Sequence, residues 1–247
     1  MRPKPLRRIY CRMIAGSSAL AAIALVQATP AFATEAPDIS ICDDLPSDPE
    51  ITIDRVDPIS LPADWGDIAT SSRNWIAVWT EHSRTYCVET AWMYEATNLE
   101  RFGERFLGFN WDGQEAFGYV LIDRARQGRE IDTGSRPLFS PDGSKFATLQ
   151  RSDANFRGFE GFAIWEIYGG VLEPYIVNAG PPLYPMYDWR IDRWEGERCL
   201  HISAVPYDRF EGKWEILPSV TRDHYVSSAS SDWRILEGVK CEAGNPP

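Results

Sequence analysis

The chain has 247 residues, 44% of them hydrophobic and 25% charged, with 25 Lys and Arg against 36 Asp and Glu for a net charge of −11. That length suits one domain with a sizeable core. The acidic balance argues against nucleic acid and against an anionic membrane surface as partners, because both are held by clustered Lys and Arg.

Residues 1–33 read as a signal peptide outside the fold. Arg2, Lys4, Arg7, Arg8 and Arg12 precede an apolar run from Ile14 to Val26 that is too short to span a membrane as a mature helix. Ala31-Phe32-Ala33 supplies the small residues of a cleavage site, so cleavage is expected after Ala33. The protein is then periplasmic or secreted, with no stable membrane anchor after cleavage. Arg7-Arg8 hints at twin-arginine export, but Leu6 stands where a small polar residue is usual, which favours the general secretory route. Five of the 25 basic residues leave with this segment, so 20 stand against 36 acidic ones.

Residues 34–64 are rich in Pro, Asp and Ser and read as an N-terminal arm, with only Ile51-Thr52-Ile53 resembling a strand. From residue 65 to 247, short apolar runs alternate with turn signals. They are NWIAVW (74–79), GYVLI (118–122), KFATL (145–149), FAIWEI (162–167), PYIV (174–177), CLHISAV (199–205) and KWEIL (213–217). Their aromatic and β-branched residues predict strands. Glu89 to Phe102 is one helical candidate, though its apolar periodicity is poor. The expected class is all-β.

Four cysteines, Cys42, Cys87, Cys199 and Cys241, remain after Cys11 leaves with the signal. An even number in an exported chain predicts two disulfides. Cys42–Cys87 and Cys199–Cys241 would each tie a terminal segment to the β body. The rival pairing, Cys42–Cys241 with Cys87–Cys199, would join the two termini.

In FSPDGSKFATL (139–149), Ser140-Pro141-Asp142-Gly143 predicts a β-turn, with Pro fixing φ at the second position and Gly free to take a positive φ. FNWDGQ (109–114) repeats the spacing of aromatic and Asp-Gly. Pro137-Leu138-Phe139 returns as Pro185-Met186-Tyr187, and Trp165 in IWEI returns as Trp214 in KWEI. Separations of 48 and 49 suit one four-stranded propeller blade. Trp165 and Trp214 are expected on equivalent strands, both buried. The stretch 119–149, with Asp123, Gly128, Pro137, Phe139, Ser140, Pro141, Asp142 and Gly143, resembles the repeat of TolB-type β-propellers, and the likeness extends to about residue 180. The resemblance implies a β-propeller-like domain of about four blades or an incomplete ring, with Asp188-Trp189-Arg190 as a degenerate counterpart of the turn. It implies no particular activity.

No motif names a chemistry. The expected mature chain holds no G-x-S-x-G, no C-x-x-C and no His spacing that suits a metal, so no catalytic, cofactor or metal residue is assigned. Asp153, Asn155 and Gly158 match part of a calcium loop, but Arg157 and Ile164 stand where oxygen ligands belong. Trp189 and Trp194, among charges, are candidates for an exposed contact. Two functions follow. The first is a non-catalytic exported module that binds a protein or peptide partner in the cell envelope. The alternative is a hydrolase of glycan or peptide, whose carboxylates would converge with aromatics in one pocket.

Overall fold

A computed structural model describes residues 36–47, 53, 57–113, 116–150, 161–168, 171–178, 186–209, 215, 217–228, 233–237, 240 and 241. The chain divides into two units, Met1–Ala33 and Thr34–Pro247. The expected signal segment, the calcium-like loop 153–158 and Trp214 lie outside the described residues.

Among the described residues the second unit is all-β, built from four antiparallel sheets. The first sheet has three strands, β1 (Ala69–Ser71), β2 (Trp75–Trp79) and β3 (Thr85–Glu89). Four strands form the second: β4 (Glu95–Phe102), β5 (Phe106–Asp112), β6 (Phe117–Asp123) and β7 (Arg129–Asp132). The third holds β8 (Leu138–Phe139), β9 (Lys145–Gln150), β10 (Gly161–Tyr168) and β11 (Val171–Asn178). The fourth holds β12 (Met186–Trp194), β13 (Cys199–Pro206), β14 (Arg222–Ser228) and β15 (Trp233–Glu237). In every sheet each strand lies beside its neighbours in sequence.

Strand pleating explains why the inner strands are apolar without a break. Successive side chains point to opposite faces, and both faces of the second and third sheets are covered. On β6, Val120 and Ile122 join Ile76, Val78 and Val88 of the first sheet, while Tyr119 and Leu121 join Phe146 and Trp165 of the third. On β10, Ala163 and Trp165 face the second sheet, whereas Phe162 and Ile164 pack with Leu200, Ile202 and Trp233 of the fourth. Each sheet thus shares a core with the next.

The two ends of this series differ. The far face of the first sheet, with Trp75, Ala77 and Cys87, packs on Ile39 and Cys42 of α1 (Ile39–Asp43). Asp38 caps that helix by accepting from the Ser40 amide at 3.0 Å. The Cys42–Cys87 bridge, with Cα atoms 5.5 Å apart, pins the helix in place. On the fourth sheet, the face away from its core carries His201, Ser203, Asp223, Tyr225 and Ser227, paired across β13 and β14. Cys199 shares this face and bridges to Cys241, with Cα atoms 6.0 Å apart. The expected pairing of the cysteines is the one present, and the terminus-to-terminus alternative is not.

Six of the seven expected strands are there, from β2 to β13. KWEIL lies mostly outside the described residues, and its last residue, Leu217, opens the short helix α2 (Leu217–Val220). Pro218 suits a first helical turn, where its missing N–H costs nothing. The third strand of the fourth sheet is β14, and Trp214, expected on a strand equivalent to that of Trp165, lies outside the described residues. Trp165 itself is buried on β10 and donates to Thr148 Oγ1 at 3.0 Å. The helical candidate is likewise corrected. Glu95–Phe102 is strand β4, held by pairing with β5 despite its Ala, Leu and Glu content, and a register shift between Thr97 and Glu100 breaks its apolar pattern.

The Ser140–Gly143 turn forms as expected between β8 and β9. Gly143 N–H donates to Ser140 O at 2.9 Å, and Gly143 has φ of +67°. Hydroxyls of Ser140 and Ser144 each donate to Asp142 at 2.6 Å and hold its carboxyl down to about 2. A Cβ on Gly143 meets nothing within 4 Å, so substitution there strains the backbone alone. Gly143→Val is expected to cost about 1 kcal/mol or more by chemical denaturation, and unchanged stability would contradict the turn. FNWDGQ does not occupy an equivalent place. Phe109 and Asp112 lie within β5, and Gly113 closes the turn between the second and third strands of its sheet.

Another device does recur. The first-to-second strand turns of the last three sheets carry Gly103, Gly143 and Gly196, all at positive φ and all with open space where a Cβ would stand. Each is followed by a polar residue, a basic residue and the first buried position of the next strand: Arg105-Phe106, Lys145-Phe146 and Arg198-Cys199.

Candidate functional site

The loop from β6 to β7 reads Asp123-Arg124-Ala125-Arg126-Gln127-Gly128-Arg129 and is fixed from below. Arg105, just after the Gly103 turn, donates from Nε and Nη2 to the two Asp123 oxygens at 2.7 and 2.8 Å. Asp123 Oδ1 also accepts from the Ala125 amide at 3.0 Å. This fork-to-fork geometry neutralises the buried carboxylate and orients the loop. The same bond to Asp123 holds the Arg105 guanidinium above its ordinary value, against the effect of burial.

Arg124 is buried and spends its guanidinium on two carbonyls, Trp79 O at 2.7 Å and Glu104 O at 2.5 Å. Burial lowers its pKa, and the neighbouring Arg101 adds to this. It therefore places positive charge under the loop without a hydrogen-bonded carboxylate. The loop is laced to the β2–β3 turn by Glu81 N–H to Arg124 O at 2.9 Å and His82 N–H to Arg126 O at 3.0 Å. Two residues take positive φ here, Arg126 at +57° and Gly128 at +86°. A Cβ on Gly128 would stand 2.7 Å from Tyr86 Cβ, so only glycine lets the loop lie this close to β3.

Above the loop opens a cleft of about 540 Å³, lined by His82, Asp123, Ala125, Arg126, Gln127, Gly128, Arg129, Val171 and Leu172. It draws on the first three sheets. Arg129 Nη2 reaches across to Leu172 O at 3.4 Å and ties β7 to β11. Arg126, Gln127, Arg129 and His82 are exposed. Beside the cleft, the β10–β11 hairpin presents exposed Tyr168 at the end of β10 and exposed Val171 and Tyr175 on β11, the last strand of its sheet.

A second polar cluster lies on the outer face of the fourth sheet. His201 Nε2 is 2.9 Å from Asp223 Oδ1, while Nδ1 is 3.2 Å from Asp192 Oδ2 and 3.0 Å from Arg193 Nη1. A register shift between Ile191 and Arg193 sets both Asp192 and Arg193 against His201. Tyr225 packs on the imidazole at 4.9 Å, and Ser203 donates to Asp192 at 3.2 Å. Two acids thus converge with an aromatic, but the cleft above the arginine loop does not include them.

Trp189 and Trp194 are not exposed contacts. Trp189 is 8% exposed and belongs to the core between the third and fourth sheets. Trp194 is partly buried against that core and donates from Nε1 to Leu138 O at 2.8 Å. β12 directs these rings inward, so the flanking charges misled. Trp189 does border a smaller cleft of about 320 Å³, together with Leu138, Arg190 and Ile191. Ser140, Pro141, Asp142 and Gly143 form a structural turn that lines neither cleft.

The arginine loop went unnoticed in the sequence, where Asp123 and Gly128 were read only as repeat positions. Three arginines within seven residues of an acidic chain are the signal that points to it. Among the described residues, no group of three or more His, Cys, Asp or Glu could hold a metal ion, and no helix is long and apolar enough to cross a membrane. Comparison with protein-family models, curated proteins and solved structures finds no match to the chain.

Proposed function

We propose that the chain is an exported, non-catalytic module of TolB-like blades that binds a protein or peptide partner of the cell envelope at the arginine-lined cleft. Four successive meanders and the recurring glycine turn support four blades. α1 covering the far face of the first sheet supports an open series in place of a closed ring. The two disulfides suit an oxidising compartment such as the periplasm or the exterior. The observation that carries the binding reading is the cleft itself, with a floor fixed by Arg105–Asp123 and a wall bordered by exposed Tyr168 and Val171. A preformed polar hollow beside an exposed apolar edge is what a peptide segment requires.

The convergence of Asp192 and Asp223 on His201 favours a second reading, a hydrolase of glycan or peptide. It is the weaker one, because the cleft lies elsewhere. Affinity capture from an envelope extract separates the two. The binding reading expects a discrete partner retained by the wild type and lost in Val171→Asp. Retention by both proteins would remove the cleft from the account.

A further inference from the structure

The cleft has a charge that the chain as a whole does not have. Two of its lining residues, Arg126 and Arg129, are basic, and Arg124 lies buried beneath the loop. Among the described residues the one acid in the lining, Asp123, is already matched by both prongs of Arg105. Arg126 makes no ion pair among the described residues; its backbone N–H alone reaches Glu81, at 3.4 Å. Arg129 gives its guanidinium to a carbonyl at 3.4 Å, a long contact that leaves most of its donors unused. A planar fork of N–H donors matches the two oxygens of a carboxylate.

We infer that the cleft takes a carboxylate of its peptide ligand, held by the Arg126 and Arg129 guanidinium groups beside the Val171 edge. This rests on the binding reading above and names the chemistry it requires. The carboxylate has two sources in a peptide, an acidic side chain or a free C-terminus. Either would approach a protein of net negative charge, so recognition must come from this local concentration of arginine and not from long-range steering.

Nuclear magnetic resonance on the labelled full chain tests this with four probes. They are an acetylated and amidated tetra-aspartate, a tetraglycine with a free C-terminus, the same tetraglycine amidated, and inorganic phosphate. The expected result is a shift of the Arg126 Nε–H and Gly128 amide signals with one of the two carboxylate peptides, and none with the amidated tetraglycine. Which carboxylate peptide acts identifies the source. Arg126→Gln and Arg129→Gln should each weaken that binding about tenfold or more, whereas Arg209→Gln, outside the cleft, should not. Indifference to both carboxylate peptides, or equal shifts with phosphate, would overturn the inference. So would unchanged affinity in both cleft variants. In the capture experiment, a partner lost in Val171→Asp but kept by both arginine variants would leave the binding reading standing and remove the carboxylate. A partner kept by all three variants would remove the cleft as well.

Discussion

Cys42→Ala combined with Cys87→Ala is expected to lower the stability of the fold by about 4 kcal/mol. The bridge closes a loop of 45 residues, and freeing a loop of that length restores a corresponding entropy to the unfolded chain. A second effect adds to the first. α1 has only five residues, too few to persist unaided, and it covers Trp75 and Ala77. Without the bridge that face of the first sheet opens to water. Urea denaturation of the oxidised double variant against the oxidised wild type measures the loss. A difference below about 1 kcal/mol would mean that the arm is held by its packing and not by the bridge.

Asp123→Ala has the next largest expected effect, a loss of about 3 kcal/mol. It leaves the Arg105 guanidinium without its carboxylate and the Ala125 amide without an acceptor in a largely buried setting. Water rescues part of this, because the Arg105 side chain is 19% exposed. Adding Arg105→Met should recover some of the loss, since a paired absence is milder than an orphaned charge. Calorimetric or denaturant stabilities of the two single variants and the double variant decide the matter. Simple additivity would show that the pair does not act as a unit.

The fold was legible wherever local chemistry and tertiary packing agreed. FAIWEI and GYVLI are apolar on both pleat faces because sheets cover both, and such runs declare themselves. Ser-Pro-Asp-Gly carries its turn in its own residues, and the cysteine pairing followed from the need to hold two terminal segments. β4 was hidden because its residues favour helix and only pairing with β5 overrides them. A tryptophan is easily matched by chance in a chain with ten of them, whereas the glycine turns at 103, 143 and 196 recur for a backbone reason, each between the first and second strands of its sheet. The cleft was harder still. Its arginines lie in a single loop, but His82 comes from a turn and Val171 from the start of β11, about 40 to 50 residues away on either side, and no spacing announces that they meet.

The measurement that bears most directly on the central claim is site-specific photocrosslinking in the envelope, with the reactive side chain placed at Val171 in one protein and at Phe117 in another. Val171 borders the cleft, while Phe117 is 85% exposed and lies outside it. The account predicts one discrete protein or peptide adduct from position 171, absent from position 117 and lost when Arg126→Gln is added. No adduct at 171, or the same adducts from both positions, would contradict it.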